Sequence, residues 1–302
     1  MCTAVAKYFK GKGWVIAKNR DQDYVSEVSF KDYKTKKVGE IFFMYDFETK
    51  YREGMNYKGL VIITTSLTPT LLGESNAKDG DDIEKALHMT DPKEAAEFLV
   101  KQKMTGFIFC CTPEKLVLVE AAKMDQGKGE YHSIIKEIPK SEVISRTNHG
   151  IELPWAGFQS GVKKQQDIWR KSSEMRMEQA LKTTKNAKDA KEMLEGLASK
   201  MTDDFQYNVF RIENKPRQMR TIFQSAYVPS DELIIIRPIQ TKMDIKVSRE
   251  MIHVDVLDNS SLHKLYDGKI KHFSKIVPKN DEEIKTVIQK EQFLGFKEFV
   301  NY

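Results

Sequence analysis

The sequence predicts an α+β protein whose sheets and helices form separate layers. Runs rich in β-branched and aromatic residues indicate strands within residues 1–65, and two long helical patterns follow in residues 165–200. A further strand hairpin is predicted at residues 221–237. This order favours segregated layers, because a βαβ winding needs strands and helices to alternate.

Local signals support the individual elements. Gly11–Gly13 is a turn signal, so the strands at residues 1–9 and 14–17 are expected to form a hairpin. Asp91 directly before Pro92 is typical of a helix start. The other predicted strands cover residues 41–45, 59–65, 106–111, 115–121, 221–228 and 233–237, and the predicted helices cover residues 81–88, 91–102, 165–182, 187–200 and 281–299.

The composition excludes several classes of protein. With 302 residues, of which 40% are hydrophobic and 31% charged, the chain is expected to fold as one large or two ordinary domains. A net charge of +5 is too small to indicate nucleic-acid binding. No apolar run approaches the roughly 20 residues that span a bilayer. We therefore expect neither a nucleic-acid nor a membrane partner.

The cysteines and the first residues favour a cytoplasmic location. Cys2, Cys110 and Cys111 are an odd number, so no disulfide framework is expected. Lysines interrupt the apolar run that a signal peptide requires near the first residue. Cys110 and Cys111 lie in a strand pattern and are expected to pack inside a sheet. Neither a metal-ligand spacing nor a phosphate loop is found, so no metal and no organic cofactor is expected.

Cys2 combines two reactive groups once Met1 is removed, as methionine aminopeptidases do when the second residue is small. The freed α-amine has an ordinary pKa of about 7.7–8.0, so part of it is neutral at neutral pH. A neutral amine can take the proton of the adjacent thiol, which leaves the thiolate as a nucleophile. An N-terminal cysteine therefore supplies both the nucleophile and its base.

The predicted hairpin brings charged residues to Cys2. A turn at residues 11–13 returns the second strand so that Lys18, Arg20 and Asp21 are expected beside residue 2. A carboxylate there can hold the α-amine, and a cation favours the thiolate. Charges at a strand end can also be plain surface, but their position opposite an N-terminal thiol favours the functional interpretation.

Four segments resemble the cysteine-type N-terminal nucleophile amidohydrolases, which include bile salt hydrolases, penicillin V acylases and isopenicillin N acyltransferases. The segments are Met1–Ala4 followed by Lys18–Asp21, then Gly54–Leu60, Ser145–His149 and Arg220–Tyr227. The resemblance covers residues 1–245 and implies a four-layer αββα sandwich of two antiparallel sheets. Residues 246–302 are then an extension packed on the same domain.

The resemblance also implies catalytic roles. Cys2 is expected to be the nucleophile and, through its α-amine, the base, while Asp21 orients that amine. The Asn148 side chain and the Ser66 backbone N–H are expected to donate to the oxyanion, where one donor is typically worth about 2.7–4 kcal/mol of barrier. Arg220 is expected to place positive charge near the thiolate.

Further residues of these segments are expected at the site. Lys18 stands where the family usually has Arg, and it cannot make the bidentate contacts of Arg. Arg20, His149 and Tyr24 are expected to contact substrate, although a single histidine can also be structural. Ser66 replaces a common Asn, a change that a backbone donor tolerates.

The segment of residues 159–220 is basic and helical within the predicted catalytic domain. It holds 14 Lys or Arg against 9 Asp or Glu. Such a segment is typical of a solvated helix face with ion pairs along it, and it can also form a patch that binds an acidic partner.

These features together predict an amide hydrolase that cleaves a non-peptide C–N bond of a small N-acyl compound through a thioester on Cys2. An acyltransferase that uses the same thioester stays open as an alternative. So does a catalytically inactive binding protein of the same fold. Because the family often forms dimers or tetramers, the resemblance is compatible with a homo-oligomer.

Overall fold

The computed structural model describes residues 1–22, 27–47, 49–67, 75–124, 129–158, 163–212, 219–239, 241–246 and 251–266. These residues form two β-sheets that face each other, with helices on both outer surfaces. Strands and helices are numbered below in chain order.

The first sheet has six described strands and carries the N-terminus. In spatial order they are β10 (Val143–Arg146), β1 (Cys2–Phe9), β2 (Gly13–Gln22), β11 (Arg220–Val228), β12 (Leu233–Pro238) and β14 (His253–Val256). All neighbours are antiparallel except β12 and β14, which are parallel. The predicted hairpin of β1 and β2 is confirmed, and Cys2 lies opposite Arg20.

The second sheet has eight described strands. In spatial order they are β13 (Lys242–Lys246), β3 (Glu27–Thr35), β4 (Gly39–Asp46), β5 (Arg52–Asn56), β6 (Val61–Thr65), β7 (Gly106–Cys111), β8 (Leu116–Lys123) and β9 (Tyr131–Glu137). Only the edge pair of β13 and β3 is parallel among these described strands.

The helices complete four layers. Helices α1 (Ser75–Ala86) and α2 (Pro92–Lys101) pack on the second sheet, and α3 (Lys163–Thr184) and α4 (Ala190–Leu197) pack on the first. A short helix, α5 (Ser260–Leu265), follows β14. The expected αββα sandwich is confirmed. No described helix is long and apolar enough to cross a membrane.

Helix starts follow their local capping signals. The Asp91 carboxylate accepts hydrogen bonds from the backbone N–H groups of Lys93 and Glu94, at 2.8 and 2.9 Å, and confirms the predicted start of α2. Asp189 caps α4 by accepting from the Glu192 N–H at 2.9 Å. Helix α4 is therefore shorter than predicted, because the cap fixes its first residue at Ala190.

Strand alternation decides which face each residue of β1 and β2 presents. Ala4 and Ile16 belong to the core between the two sheets, whereas Val5 and Ala17 pack under α3 and α4. Cys2 shares a face with Ala4 and therefore points between the sheets. Asp21 shares a face with Ala17 and points toward the helices.

The other two cysteines are structural. Cys110 and Cys111 are fully buried in β7, as predicted. Burial raises the pKa of both thiols, so they stay protonated at neutral pH. Neither has the surroundings of a reactive cysteine.

Several elements differ from the sequence prediction. The resemblance implied a turn at Gly54–Leu60, but Gly54–Asn56 belongs to β5 and only residues 57–60 form a turn. Strands β3, β9, β10, β13 and β14 were not predicted, because their charged residues obscure a strand pattern. The predicted helix at 281–299 lies outside the described residues. The boundary at residue 245 stays a prediction, although β14 pairs with β12 of the first sheet.

Replacing Gly54 with Ala is expected to destabilise the protein by roughly 3 kcal/mol or more, because a new Cβ would lie 2.1 Å from the Phe42 carbonyl oxygen. A backbone oxygen cannot rotate away, so β4 and β5 would have to separate. Gly11→Ala is the control: it meets no atom within 4 Å and carries only the strain of φ +87°, about 1–2 kcal/mol. Urea unfolding measures both. If Gly54→Ala loses no more stability than Gly11→Ala, the result would contradict this packing.

Candidate active site

Cys2 opens the first strand beside the gap between the two sheets. Its side chain is buried and faces the same side as Arg20, its cross-strand neighbour. Met1 precedes it and exchanges two backbone hydrogen bonds with Asp21, each of 2.8 Å. Burial lowers the pKa of the Met1 amine, and the nearby Arg176 and Arg211 add to the lowering, against Cys2 and Asp21.

The pairing of Met1 with Asp21 determines where the backbone of Cys2 points. In an antiparallel ladder, hydrogen-bonded and non-hydrogen-bonded pairs alternate. Because Met1 and Asp21 form a bonded pair, Cys2 and Arg20 form a non-bonded one. The N–H and C=O of Cys2 therefore point away from β2, toward the side of β1 on which β10 lies.

Arg176 of α3 meets Cys2 on that side. Its Nη1 donates to the Cys2 carbonyl oxygen at 3.2 Å and to Thr3 Oγ1 at 3.0 Å. Its Nη2 donates to Asn148 Oδ1 at 2.9 Å. The side chain is fully buried, and Nη1 also lies 4.0 Å from Asp21 Oδ2. One guanidinium thus contacts three of the residues that define the site.

Asn148 and Ser66, the two residues that the resemblance assigned to the oxyanion, lie together. Asn148 follows β10, and its Nδ2 donates to the Ser66 carbonyl oxygen at 2.7 Å and lies 3.3 Å from Ser66 Oγ. Ser66 follows β6 of the other sheet. The Asn148 backbone N–H donates to Ser173 Oγ of α3 at 2.9 Å. Through its side chain and its backbone, Asn148 therefore connects the two sheets and the helix layer.

Asp21 is buried on the helix side of the first sheet. Its Oδ1 accepts a hydrogen bond from Thr221 Oγ1 at 2.9 Å. Its Oδ2 lies 3.7 Å from Arg211 Nη1 and 4.0 Å from Arg176 Nη1, and it accepts no hydrogen bond in the described part of the chain. Arg211 is itself held by Ser172 Oγ at 2.9 Å.

The charge of Lys18 is balanced by an ion pair between the sheets. Lys18 forms a fully buried ion pair with Glu53 of β5, and its Nζ lies 5.3 Å from the centre of the Tyr51 ring. The Tyr51 hydroxyl donates to Glu53 Oε2 at 3.1 Å and lies 2.6 Å from Thr64 Oγ1. Burial, followed by the charge of Glu53, raises the pKa of Tyr51 well above its ordinary value, so this phenol stays neutral.

Arg20 and Arg220 are also buried on the Cys2 face. Arg20 forms an ion pair of 2.5 Å with Asp46 at the end of β4, and its guanidinium lies 4.7 Å from the centre of the Tyr51 ring. Arg220 is the first residue of β11. Because its neighbour Thr221 faces Asp21 on the helix side, Arg220 points toward the Cys2 side.

His149 is a buried neighbour of the site. Its Nδ1 lies 2.8 Å from Ser173 Oγ and 3.3 Å from Thr147 Oγ1, and the residue is 3% exposed. Burial lowers its pKa to about 4, so the ring is neutral at pH 7. The predicted substrate contacts of His149 and Arg20 stay predictions, and Tyr24 lies outside the described residues. The described residues include no cluster of metal-ligating side chains.

The sequence prediction missed Arg176, which lies in the basic helical segment. The expectation of a solvated helix face holds for Arg170, which pairs with Glu174 at 3.1 Å, but is wrong for Arg176. The sequence of α3 nevertheless contains a pattern that indicates a buried face. One face of this helix presents small or polar residues at helical spacing, and all of them are buried: Ser172, Ser173, Arg176, Gln179 and Ala180.

Glu53→Gln is expected to destabilise the protein by about 3–5 kcal/mol, because it leaves the buried Lys18 cation without its counter-charge. The double variant Lys18→Met, Glu53→Leu removes both charges and is expected to recover most of that loss. Urea unfolding measures the three proteins. A double variant less stable than Glu53→Gln would contradict this interpretation of the pair.

His149 is expected to make stability depend on pH. Its pKa is about 4 in the folded protein and 6.5 ordinarily, so below pH 6.5 the unfolded chain binds a proton that the folded one does not. The stability associated with neutral His149 is therefore present above pH 6.5 and lost as the pH falls toward 4. Any Tm advantage of the wild type over His149→Gln, which cannot titrate, should shrink between pH 7.5 and pH 5. A constant difference would refute this assignment.

No curated protein matches the chain. Penicillin V acylase from Agrobacterium tumefaciens aligns with a TM-score of 0.44 at 12% identity, over 78% of this chain and 86% of that one. A mutant conjugated bile acid hydrolase from Clostridium perfringens aligns with a TM-score of 0.46 at 13% identity, over 79% of this chain and 89% of that one.

The family match covers most of the sequence. Residues 9–242 match the family described as acyl-coenzyme A:6-aminopenicillanic acid acyl-transferase. The resemblance to the N-terminal nucleophile hydrolases is thereby confirmed, although Cys2 itself precedes the matched range. Since the match includes well over half of the residues, this chain belongs to the acyl-coenzyme A:6-aminopenicillanic acid acyl-transferase family.

Proposed function

We propose that the chain, once Met1 is removed, is a cysteine-dependent amide hydrolase that cleaves the C–N bond of a small, non-peptide N-acyl compound. One observation carries the proposal. Cys2 begins β1 with its backbone polar groups outside the β1–β2 ladder, in a buried cluster with Asp21, Asn148 and Arg176. Membership of an acyl-transferring family supports the same chemistry.

Removal of Met1 would create the base of the reaction. The new α-amine would belong to Cys2, and Asp21 lies at the same strand end. Asp21 Oδ2 accepts no hydrogen bond in the described residues, and a buried acceptor without a donor is unfavourable. An ammonium group at Cys2 is a suitable donor for this oxygen, which would hold the amine in place.

Cys2 would then supply both the nucleophile and the base for acylation. The α-amine takes the thiol proton, and the Cys2 sulfur forms a bond to the amide carbon while the carbonyl π electrons move onto oxygen. Asn148 Nδ2 and the Ser66 N–H would donate to that oxyanion. When the tetrahedral intermediate collapses, the C–N bond breaks, the α-ammonium protonates the leaving amine, and a thioester remains.

Water would complete the cycle as a hydrolysis. The α-amine takes a proton from water as its oxygen attacks the thioester, and the thiol is reformed when the C–S bond breaks. An amine in place of water would make the same enzyme an acyltransferase. The family description, which names an acyl-coenzyme A donor and an amine acceptor, specifically favours this second function.

Cys2→Ala is expected to abolish hydrolysis of N-acyl p-nitroanilides with acyl chains of several lengths, because the nucleophile is lost. Mass spectrometry should first show that the wild-type protein lacks Met1. Cys110→Ala is the matched control, because this thiol is buried in β7 and should leave turnover intact. Circular dichroism checks that each variant folds. Unchanged turnover by Cys2→Ala, or a retained Met1 in the native host, would reject the proposal.

Product analysis separates hydrolase from acyltransferase. With an N-acyl p-nitroanilide and 6-aminopenicillanic acid present together, a hydrolase should yield the free carboxylic acid, whereas an acyltransferase should yield the N-acylated acceptor. Acyl-coenzyme A as the donor extends the comparison. A dominant acylated product would replace hydrolysis as the main function.

A further inference from the structure

We infer that Arg176 is the positioning residue of this site: its guanidinium orients the Asn148 amide, holds the Cys2 backbone and supplies the excess positive charge next to Cys2. This inference rests on the proposed function, because it explains how the oxyanion donor and the nucleophile are held. Arg176 lies on α3, in the segment whose role the sequence left open.

The contacts of Arg176 determine which way the Asn148 amide faces. Nη2 donates to Asn148 Oδ1 at 2.9 Å, and an arginine nitrogen can only donate, so its partner must be the amide oxygen. The amide nitrogen must then face Ser66, to which it donates at 2.7 Å. A reversed amide would present its oxygen to a developing oxyanion, which is repulsive.

The same guanidinium holds the nucleophile's backbone. Nη1 donates to the Cys2 carbonyl oxygen at 3.2 Å and to Thr3 Oγ1 at 3.0 Å. Arg176 therefore links Cys2 to Asn148 through one rigid planar group. A fixed distance between nucleophile and oxyanion donor is what a tetrahedral intermediate requires.

The ion pairs distinguish Arg176 from two of the cations that the sequence suggested, Lys18 and Arg20. Lys18 is paired with Glu53, and Arg20 with Asp46. In the described part of the chain, by contrast, Arg176 and Arg211 share the single carboxylate of Asp21. With the Cys2 α-amine neutral, two guanidinium groups and one carboxylate leave one positive charge that an anion at Cys2 would balance.

Burial makes that excess charge effective. It lowers the pKa of Arg176 to about 9, with the charge of Arg211 adding to the lowering, so Arg176 is still a cation at neutral pH. A buried cation is stabilised when an anion forms next to it, and the anion is stabilised equally. The proposed reaction forms two anions within range of this charge: an oxyanion at Asn148, which Arg176 contacts, and a thiolate at Cys2, whose sulfur faces the space between the sheets while Arg176 contacts the Cys2 carbonyl oxygen.

Alkylation of Cys2 by iodoacetamide tests the charge without a substrate. The protein without Met1 is compared as wild type, Arg176→Met and Arg176→Lys, and peptide mass spectrometry separates Cys2 from Cys110 and Cys111. In Arg176→Met, Cys2 should be alkylated about tenfold more slowly at neutral pH, because the thiolate loses a nearby cation, whereas Arg176→Lys keeps the charge and the rate. Arg170→Met removes a partly exposed cation, paired with Glu174 on the same helix, and should leave the alkylation rate of Cys2 unchanged.

Hydrolysis of the p-nitroanilides tests the positioning role. A lysine at position 176 cannot contact Cys2 and Asn148 at once as the two guanidinium nitrogens do. In Arg176→Lys, kcat should therefore fall about 10²-fold with KM nearly unchanged, as for the loss of one oxyanion donor. If Arg176 acts through Asn148, the double variant with Asn148→Ala should be no slower than Asn148→Ala alone. Independent, additive losses would overturn the positioning role.

The outcomes separate the inference from the proposed function. The inference is overturned if Cys2 of Arg176→Met is alkylated at the wild-type rate, or if Arg176→Lys has the wild-type kcat, even when Cys2→Ala is inactive. If no amide is hydrolysed at all, the proposed function fails, and the alkylation rates alone decide the role of Arg176. If Arg176→Met does not fold, Arg176→Gln, which is also neutral, takes its place in the alkylation series.

Discussion

The buried guanidinium of Arg176 is the interaction on which the arrangement of this site depends. It joins the first strand through Cys2, the segment after β10 through Asn148, and helix α3 itself. Asn148 in turn reaches Ser66 at the end of β6, in the opposite sheet. Two sheets and one helix layer therefore meet through a few hydrogen bonds at the end of β1. The candidate chemistry needs this convergence, because nucleophile and oxyanion donors come from distant parts of the chain.

Charges on the two faces of the first sheet have different surroundings. On the face between the sheets, Lys18 and Arg20 each have a buried acidic partner from the second sheet. On the helix face, two arginines share the carboxylate of Asp21. Lys18, which stands where the family usually has Arg, therefore contributes to the structure through a complete ion pair. The cation that contacts the nucleophile's backbone is supplied from α3.

Sequence reasoning succeeded where structure is local. A short turn fixes the register of β1 and β2, so the placement of Arg20 opposite Cys2 follows from counting residues. Asn148 was suggested by the resemblance of its segment. Arg176 was not, because it meets Cys2 across 174 positions of sequence, and its charge resembles that of a solvated helix. Likewise Glu53, the partner of Lys18, lies on β5, which was not predicted as a strand. Long-range pairing of charges cannot be derived from periodicity.

The central claim is that Cys2 carries the acyl group as a thioester, and the most direct test locates that group. The protein without Met1 is mixed with an N-acyl p-nitroanilide, quenched in acid within one turnover and digested. Mass spectrometry of the peptides then locates the added mass. We expect it on the N-terminal Cys2 peptide, in a form that hydroxylamine releases. Acyl mass on any other residue, or turnover with no hydroxylamine-sensitive adduct at Cys2, would contradict the account.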